Sequence, residues 1–267
     1  IAKAEKKSSR VAAQGLVGLK TSDNFSLLLE INSETDFVSK NQDFQSFVDN
    51  ILDIGISKKH TIDSLLEAQY INNETVAVAL QNLVAKIGEN IVIRRLLYLD
   101  ADAKNTLFGT YVHNKINNNT GRMACIVKMF SNDNNNKAVI DLANKIAMHI
   151  TALKPLALDE QSLDTSFIEK EREIYTSQLK ASGKPENIID KIVDGKVKKY
   201  LSEVTLINQN WVLEPSLTVA QVLKDFNSNN NDDLAIIDFK LLILGEGIEV
   251  EEKNFSEEVA SQVNNTT

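Results

Sequence analysis

Few residues in this chain combine the types and spacing that chemistry requires. The single cysteine, Cys125, lies inside the apolar run Ala124-Cys125-Ile126-Val127. A free cysteine in such a run is ordinarily a small core residue, not a nucleophile. His60, His113 and His149 fall in three separate segments without a partner at i, i+4, so neither a metal set nor a nucleophile–base pair is indicated. Gly245-Glu246-Gly247 is too short for a dinucleotide fingerprint. Lys86-Ile87-Gly88-Glu89 lacks the upstream glycine and the Lys-Ser/Thr ending of a phosphate loop. The first reads as a turn and the second as a helix C-cap. Carboxylates are abundant, but apolar surroundings mark none of them as a raised-pKa acid. The residues therefore predict no cofactor, no metal and no bond-making step.

Two features remain. In Ile31-Asn32-Ser33-Glu34-Thr35-Asp36-Phe37-Val38 a strand ends, and a short turn places Phe37 beside an acid before a helix begins. Spacing alone allows two readings: Thr35 or Asp36 caps a helical turn while Phe37 staples it to the core, or the acid and the ring are offered to a partner. His149 lies on the stripe Leu142, Ile146, Ile150 and Leu153, where a lone histidine is ordinarily a hydrogen-bonded core residue.

The elements that must position these residues follow from periodicity. Segments 13–20 and 25–32 flank the polar Thr21-Ser22-Asp23-Asn24 and read as a hairpin. Phe44, Phe47, Val48, Ile51 and Leu52 recur at helical spacing, as do Leu80, Leu83, Val84 and Ile87 before Gly88. A β-branched run from Ile91 to about Leu99 reads as a strand. The order then begins again: a segment from Leu107 to His113, a polar link, a segment from Arg122 to Phe130, a helix from Asn136 to Leu153 and a closing strand from Leu234 to Leu244. A repeat with a period near 100 residues suggests a duplicated α+β unit, not a solenoid. Helical patterns at 163–181 and 186–203 flank Gly183-Lys184-Pro185, the punctuation of a helical hairpin. Its apolar positions suffice for one mutual seam, so it is expected to project as an antiparallel coiled coil. The Asn-rich stretches at 117–119, 134–136 and 229–231 read as solvated loops.

Composition sets the outer bounds. At 267 residues, with 43% apolar and 25% charged side chains, the chain can bury a core in about two units. One cysteine fits a reducing compartment. No apolar run approaches the roughly 20 residues of a membrane span, and the first residues lack the organisation of a signal peptide. A net charge of −8 argues against direct nucleic-acid binding, which draws its affinity largely from Lys and Arg. A protein partner is expected.

Thr35-Asp36-Phe37-Val38 followed by Lys40 resembles the signature of the elongation factor Ts family. The resemblance continues in that family's order through Lys86-Ile87-Gly88-Glu89-Asn90 with Arg94-Arg95, then Tyr111-Val112-His113 with Gly121-Arg122. Next come Ile146-Ala147-Met148-His149 with Lys154-Pro155, Ser182-Gly183-Lys184-Pro185 with Gly195 and Lys198-Lys199, and Gly245-Glu246-Gly247-Ile248-Glu249. It implies an α+β fold of two similar subdomains, each a small antiparallel sheet with helices, plus the projecting helical hairpin. The implied division is 1–10 as the remnant of an N-terminal helical domain, 11–104 as core subdomain 1, and 105–160 with 204–250 as core subdomain 2. The hairpin spans 161–203, and a C-terminal helical module 251–267. The implied function is guanine-nucleotide exchange on elongation factor Tu, in its GDP-bound and nucleotide-free forms, without bond-making chemistry. Asp36 and Phe37 would enter near the GTPase phosphate and magnesium site. Thr35 and Val38 would hold the turn, and Met123 and His149 match interface positions, which reverses the core reading of His149. A scaffold that holds the GTPase without exchanging nucleotide is the alternative. Bacterial cytoplasm, or an organelle matrix, is the implied location, and the reading leaves room for weak self-association.

Overall fold

The computed structural model describes residues 10–101 and 105–249. Most of the expected N-terminal remnant, and all of the C-terminal module expected at 251–267, lie outside the described residues. Among the described residues, no helix is long and apolar enough to cross a membrane.

The first half opens with strands β1 (Gln14–Thr21) and β2 (Phe25–Ser33), paired antiparallel from Gln14↔Ser33 to Thr21↔Ser26. A 3-10 turn, Asp36–Lys40, leads into helix α1 (Gln42–Ser57). Short α2 (Ile62–Leu66) and then α3 (Val76–Ile87) follow. Strand β3 (Ile91–Asp100) returns antiparallel beside β2. Asn41 caps α1 by accepting from the Asp43 and Phe44 N–H groups, at 2.9 and 3.2 Å. Gly88 ends α3 with φ of 90°, the left-handed conformation that glycine adopts without a Cβ penalty.

The second half repeats this order. Strands β4 (Thr106–His113) and β6 (Met123–Phe130) pair antiparallel, helix α4 (Lys137–Leu153) follows, and β9 (Ala235–Ile243) returns beside β6. In both sheets the second long strand is central, and its pairing with the closing strand shifts once, at Glu30/Ile31 and at Lys128/Met129, where Arg94 of β3 and Ile237 of β9 are the extra residues. A two-residue strand β5 (Thr120–Gly121) leaves the second half and pairs with β1 at Val17 and Gly18. The fold class is the expected α+β arrangement of small antiparallel sheets.

The two sheets pack face to face, which explains why β2 reads as almost continuously buried and not as an alternating strand. Its Leu27, Leu29 and Ile31 face a core shared with Phe44, Ile51 and Leu52 of α1. Leu28 turns the other way, to a central core with Val17 and Leu19 of β1, Ala124 and Ile126 of β6 and Leu242 of β9. Across the second sheet, Cys125, Val127 and Met129 meet Ala143, Ile146 and Ala147 of α4. The layers are thus helix, sheet, sheet, helix. Gly109 permits the tightest approach: a Cβ there would lie 2.3 Å from the Ala143 backbone, so any side chain would push α4 off β4.

Helices α5 (Thr165–Ala181) and α6 (Glu186–Val204) form the helical hairpin, with a seam of their own made by Leu179, Ile189, Val193 and Val197. Asp164 caps α5, accepting from the Ser166 N–H, and Pro185 precedes α6, as the Gly183-Lys184-Pro185 punctuation leads one to expect. Three elements in the second half have no counterpart in the periodicity reading: the small hairpin of β7 (Asn210–Trp211) and β8 (Glu214–Thr218), and helix α7 (Val219–Asn230). Helix α7 begins with a reciprocal capping box between Thr218 and Gln221, but buries fully only Val219. Its Val219, Val222, Leu223 and Phe226 nevertheless stand at i, i+3, i+4 and i+7 and pack on the second core, so the helical period was present in the sequence.

Candidate functional site

The turn after β2 places neighbouring side chains in opposite environments. Phe37 is 77% exposed, whereas Val38 is 4% exposed and packs in the core with Leu16, Ile31 and Phe44. The stapling residue is therefore Val38; Phe37 staples nothing. Thr35 flanks the 3-10 turn in extended conformation, and its side chain makes no cap hydrogen bond. Its backbone N–H instead donates to Glu89 Oε2 at 2.9 Å, and its hydroxyl to Glu89 Oε1 at 2.6 Å. Inside the turn, Ser39 Oγ donates to the Asp36 carbonyl at 2.6 Å, and the Gln45 side chain to the Ser39 carbonyl at 2.9 Å.

The Lys86–Asn90 segment, read from the sequence as helix punctuation, is the other half of this device. Gly88 turns the chain so that Glu89 grips Thr35, and the next residue, Asn90, donates its N–H to Glu34 Oε1 at 2.6 Å. Two motifs 54 residues apart are thus clamped together at Glu34 and Thr35, where the turn begins. A small apolar ring beside a carboxylate, presented on a backbone that is already ordered, loses little conformational entropy on docking. What the arrangement can do is insert; it holds no acid–base pair.

Met123 is half-buried at the start of β6, on a cleft of about 370 Å³ lined also by Tyr111, His113, Met148, Thr151 and Lys154. His149 stands differently. It is fully buried, with its ring stacked on Trp211 at a centroid distance of 5.1 Å. The Val212 N–H donates to Nδ1 at 3.2 Å, so Nδ1 carries no proton and Nε2 must donate to Gln209 Oε1, at 3.0 Å. The Gln209 amide in turn donates to the Glu203 carbonyl at 2.7 Å. Burial holds the imidazole pKa below its ordinary value, with the Gln209 hydrogen bond opposing in part. His149 was expected at an interface; in this chain its ring reaches no surface and ties α4 to Gln209 and to Trp211 of β7. It is Met148, one residue earlier, that lines the cleft with Met123. The stripe Leu142, Ile146 and Ile150 carried the signal for an inward ring.

A third constellation escaped the sequence reading. Glu30, wholly buried on β2, accepts from Arg94 at 3.2 Å, from Arg95, from the Asn32 amide at 3.0 Å and from the Gly245 N–H at 2.8 Å. Burial opposes its ionisation, but the Gly245 N–H, Arg95 and Asn32 outweigh that and hold the carboxyl below its usual range. Arg94 also donates to the Glu246 carbonyl, and Arg95 to the Ile243 carbonyl, both at 2.7 Å. The turn Gly245-Glu246-Gly247 is thereby bolted to the first sheet. Among the described residues, no three His, Cys, Asp or Glu side chains gather as a metal set.

Comparison with known proteins follows the same outline. The family model described as Elongation factor TS matches residues 34–246. The chain is 39% identical over 262 residues to Elongation factor Ts of Allorhizobium ampelinum, covering 98% of this chain and 84% of that protein. It is 38% identical to the proteins of the same name from Bartonella tribocorum, over 264 residues, and Rickettsia felis, over 261 residues. Each of those matches covers 98% of this chain, and respectively 85% and 84% of the relative.

Proposed function

The chain belongs to the elongation factor Ts family of translation elongation factors, and from that premise we propose that it is a guanine-nucleotide exchange factor for elongation factor Tu. One observation carries the reading: Phe37, 77% exposed, stands on a turn whose flanking residues Thr35 and Val38 are respectively clamped by Glu89 and buried in the core. An apolar ring held rigidly in water is unfavourable for the free protein and favourable only once it is covered. Phe37 supplies the buried contact. Asp36 beside it brings a negative charge to the GTPase phosphate and magnesium site, where it disturbs the polar contacts that hold GDP.

Exchange on this scheme needs no bond-making step. Whatever weakens GDP when the exchange factor is bound means that GDP weakens the exchange factor by the same factor, so the nucleotide-free GTPase is the tightest partner. Met123, with the cleft that includes Met148, forms a second contact region, and His149 shapes that region from behind by fixing α4 against Gln209 and Trp211. The frame for these contacts is the division into two core subdomains, 11–104 and 105–160 with 204–250, carrying the hairpin 161–203. The protein works where translation occurs, in bacterial cytoplasm or in an organelle matrix.

The test is release of fluorescent GDP from elongation factor Tu. The wild-type chain accelerates release, and Asp36→Ala with Phe37→Ala removes most of the acceleration while the fold is kept. Complex formation without faster release would refute exchange and leave a scaffold.

A further inference from the structure

Two of the chain's three methionines line one cleft, the pocket of about 370 Å³ between β4, β6 and α4. Met123 opens β6, opposite His113 of β4 and Ile243 of β9, and Met148 comes from α4. Both are half-buried. Tyr111 and His113 stand on the same cleft with ring centroids 6.2 Å apart, as does Lys154, the left-handed C-cap of α4. The chain's other two sulfur atoms are sealed: Cys125 and Met129, farther along the same face of β6, are fully buried in the second core. Burial also pushes the Cys125 thiol up, so the thiolate that oxidants attack does not form.

We propose that Met123 and Met148 form an oxidation site for hydroperoxides, whose reversible conversion to sulfoxides weakens docking of the GTPase at this cleft. The effect on docking rests on the proposed exchange function; the selectivity of the oxidation does not. In the step, the thioether sulfur gives a lone pair to the terminal peroxide oxygen, and the S–O bond forms as the O–O bond breaks. Sulfur is oxidised by two electrons. The proton on the transferred oxygen passes to the leaving oxygen, which departs as water from hydrogen peroxide or as an alcohol from an alkyl hydroperoxide. Unlike thiol oxidation, the step needs no prior deprotonation, so access to the sulfur selects the site. The consequence follows from polarity. Methionine is a flexible apolar contact that fills irregular gaps against a partner, whereas its sulfoxide is polar and chiral. Covering that S–O dipole without a donor costs desolvation. The loss falls on the complex and not on the fold, because neither side chain belongs to the buried core that holds Met129.

Peptide mass mapping of the full chain after graded hydrogen peroxide tests the site. Met123 and Met148 are expected to oxidise at least about tenfold faster than Met129, with Cys125 unmodified. Comparable rates at Met129, or no sulfoxide at either cleft methionine before the chain unfolds, would overturn the proposal. For the effect on docking, peroxide is removed before nucleotide-free elongation factor Tu is added, so the GTPase never meets the oxidant. Dissociation of the oxidised chain is expected to be about tenfold faster than that of the untreated chain, and methionine sulfoxide reductases should reverse the change. Met123→Leu/Met148→Leu, a swap close in volume, is compared with itself before and after peroxide and should change by less than about twofold. An equal change in that variant, or no recovery with the reductases, would refute the switch. So would a melting temperature lowered by more than about 5 °C in oxidised wild type, which marks a packing role. If the double variant does not fold, the reductase arm on wild type decides. Unchanged dissociation after oxidation sinks the switch and leaves exchange standing. An untreated chain that binds without speeding GDP release sinks exchange but leaves this comparison readable, and one that does not bind at all refutes both.

Discussion

Phe37 and Val38 are adjacent, similar in apolar character and opposite in role. Replacing Phe37 by alanine removes a side chain that is 77% exposed, so stability to urea is expected to change by less than about 0.5 kcal/mol. Affinity for the GTPase is expected to fall by about 2 kcal/mol, roughly 30-fold. Val38→Ala is expected to do the reverse, costing about 2 kcal/mol of stability through lost burial and a cavity, with a smaller effect on binding. Equal losses in both assays for both variants would remove the distinction. His149 adds a pH dependence. The fold lowers its pKa, so its contribution is fully present above the unfolded value of about 6.5 and is lost as pH falls below it, because only the unfolded chain readily takes the proton. Wild type should therefore lose more stability between about pH 7.5 and 5.5 than His149→Gln does. Parallel curves would show that the ring is not held neutral.

At the scale of elements, the wedge depends on a residue that no local pattern near it could reveal. Glu89 follows α3 and reaches Thr35 only because Gly88 turns the chain out of the helix. Glu89→Ala leaves the Thr35 N–H and hydroxyl without their acceptor and is expected to cost about 1–2 kcal/mol. It should also slow GDP release, although Asp36 and Phe37 remain in place. Glu89→Gln, which keeps one oxygen acceptor, should recover part of that activity; no difference between the two variants would mean the clamp is dispensable. Legibility in the sequence followed signal strength. The long strands and α1, α3, α4, α5 and α6 stood out because each repeats several apolar residues at its own period. The β7–β8 hairpin did not, because strands of two and five residues carry too few repeats to rise above loop composition; α7 was legible in Val219, Val222, Leu223 and Phe226 at helical spacing, but its polar flanks hid it among the Asn-rich loops.

For the whole molecule, the Glu30 cluster is a polar commitment inside the core that spans both sheets. It joins β2 and β3 of the first sheet to the turn that follows β9 of the second. Glu30→Ala leaves Arg94 and Arg95, each about three-quarters buried, and the Gly245 N–H facing no anion. A loss of about 3 kcal/mol is expected, at the lower end for broken buried pairs because the arginines keep some water. Chemical unfolding checks this, and a change below about 1 kcal/mol would show that the halves hold together without the Glu30 cluster.

The sequence by itself determined the α+β class, the repeated order of strand, strand, helix and closing strand, the helical hairpin, and the motif at Thr35 to Val38. Each of these is written in local periodicity, in punctuation by Gly, Pro and Asn, or in the run of residues that matches the family. It did not determine which face each residue would show. Phe37 outside and Val38 inside, His149 sealed behind Met148, and Glu89 gripping Thr35 were decided only by tertiary structure. The reason is physical: exposure and pairing depend on what packs against a residue from elsewhere in the chain, and a window of neighbours contains the side chain but not the surface it meets.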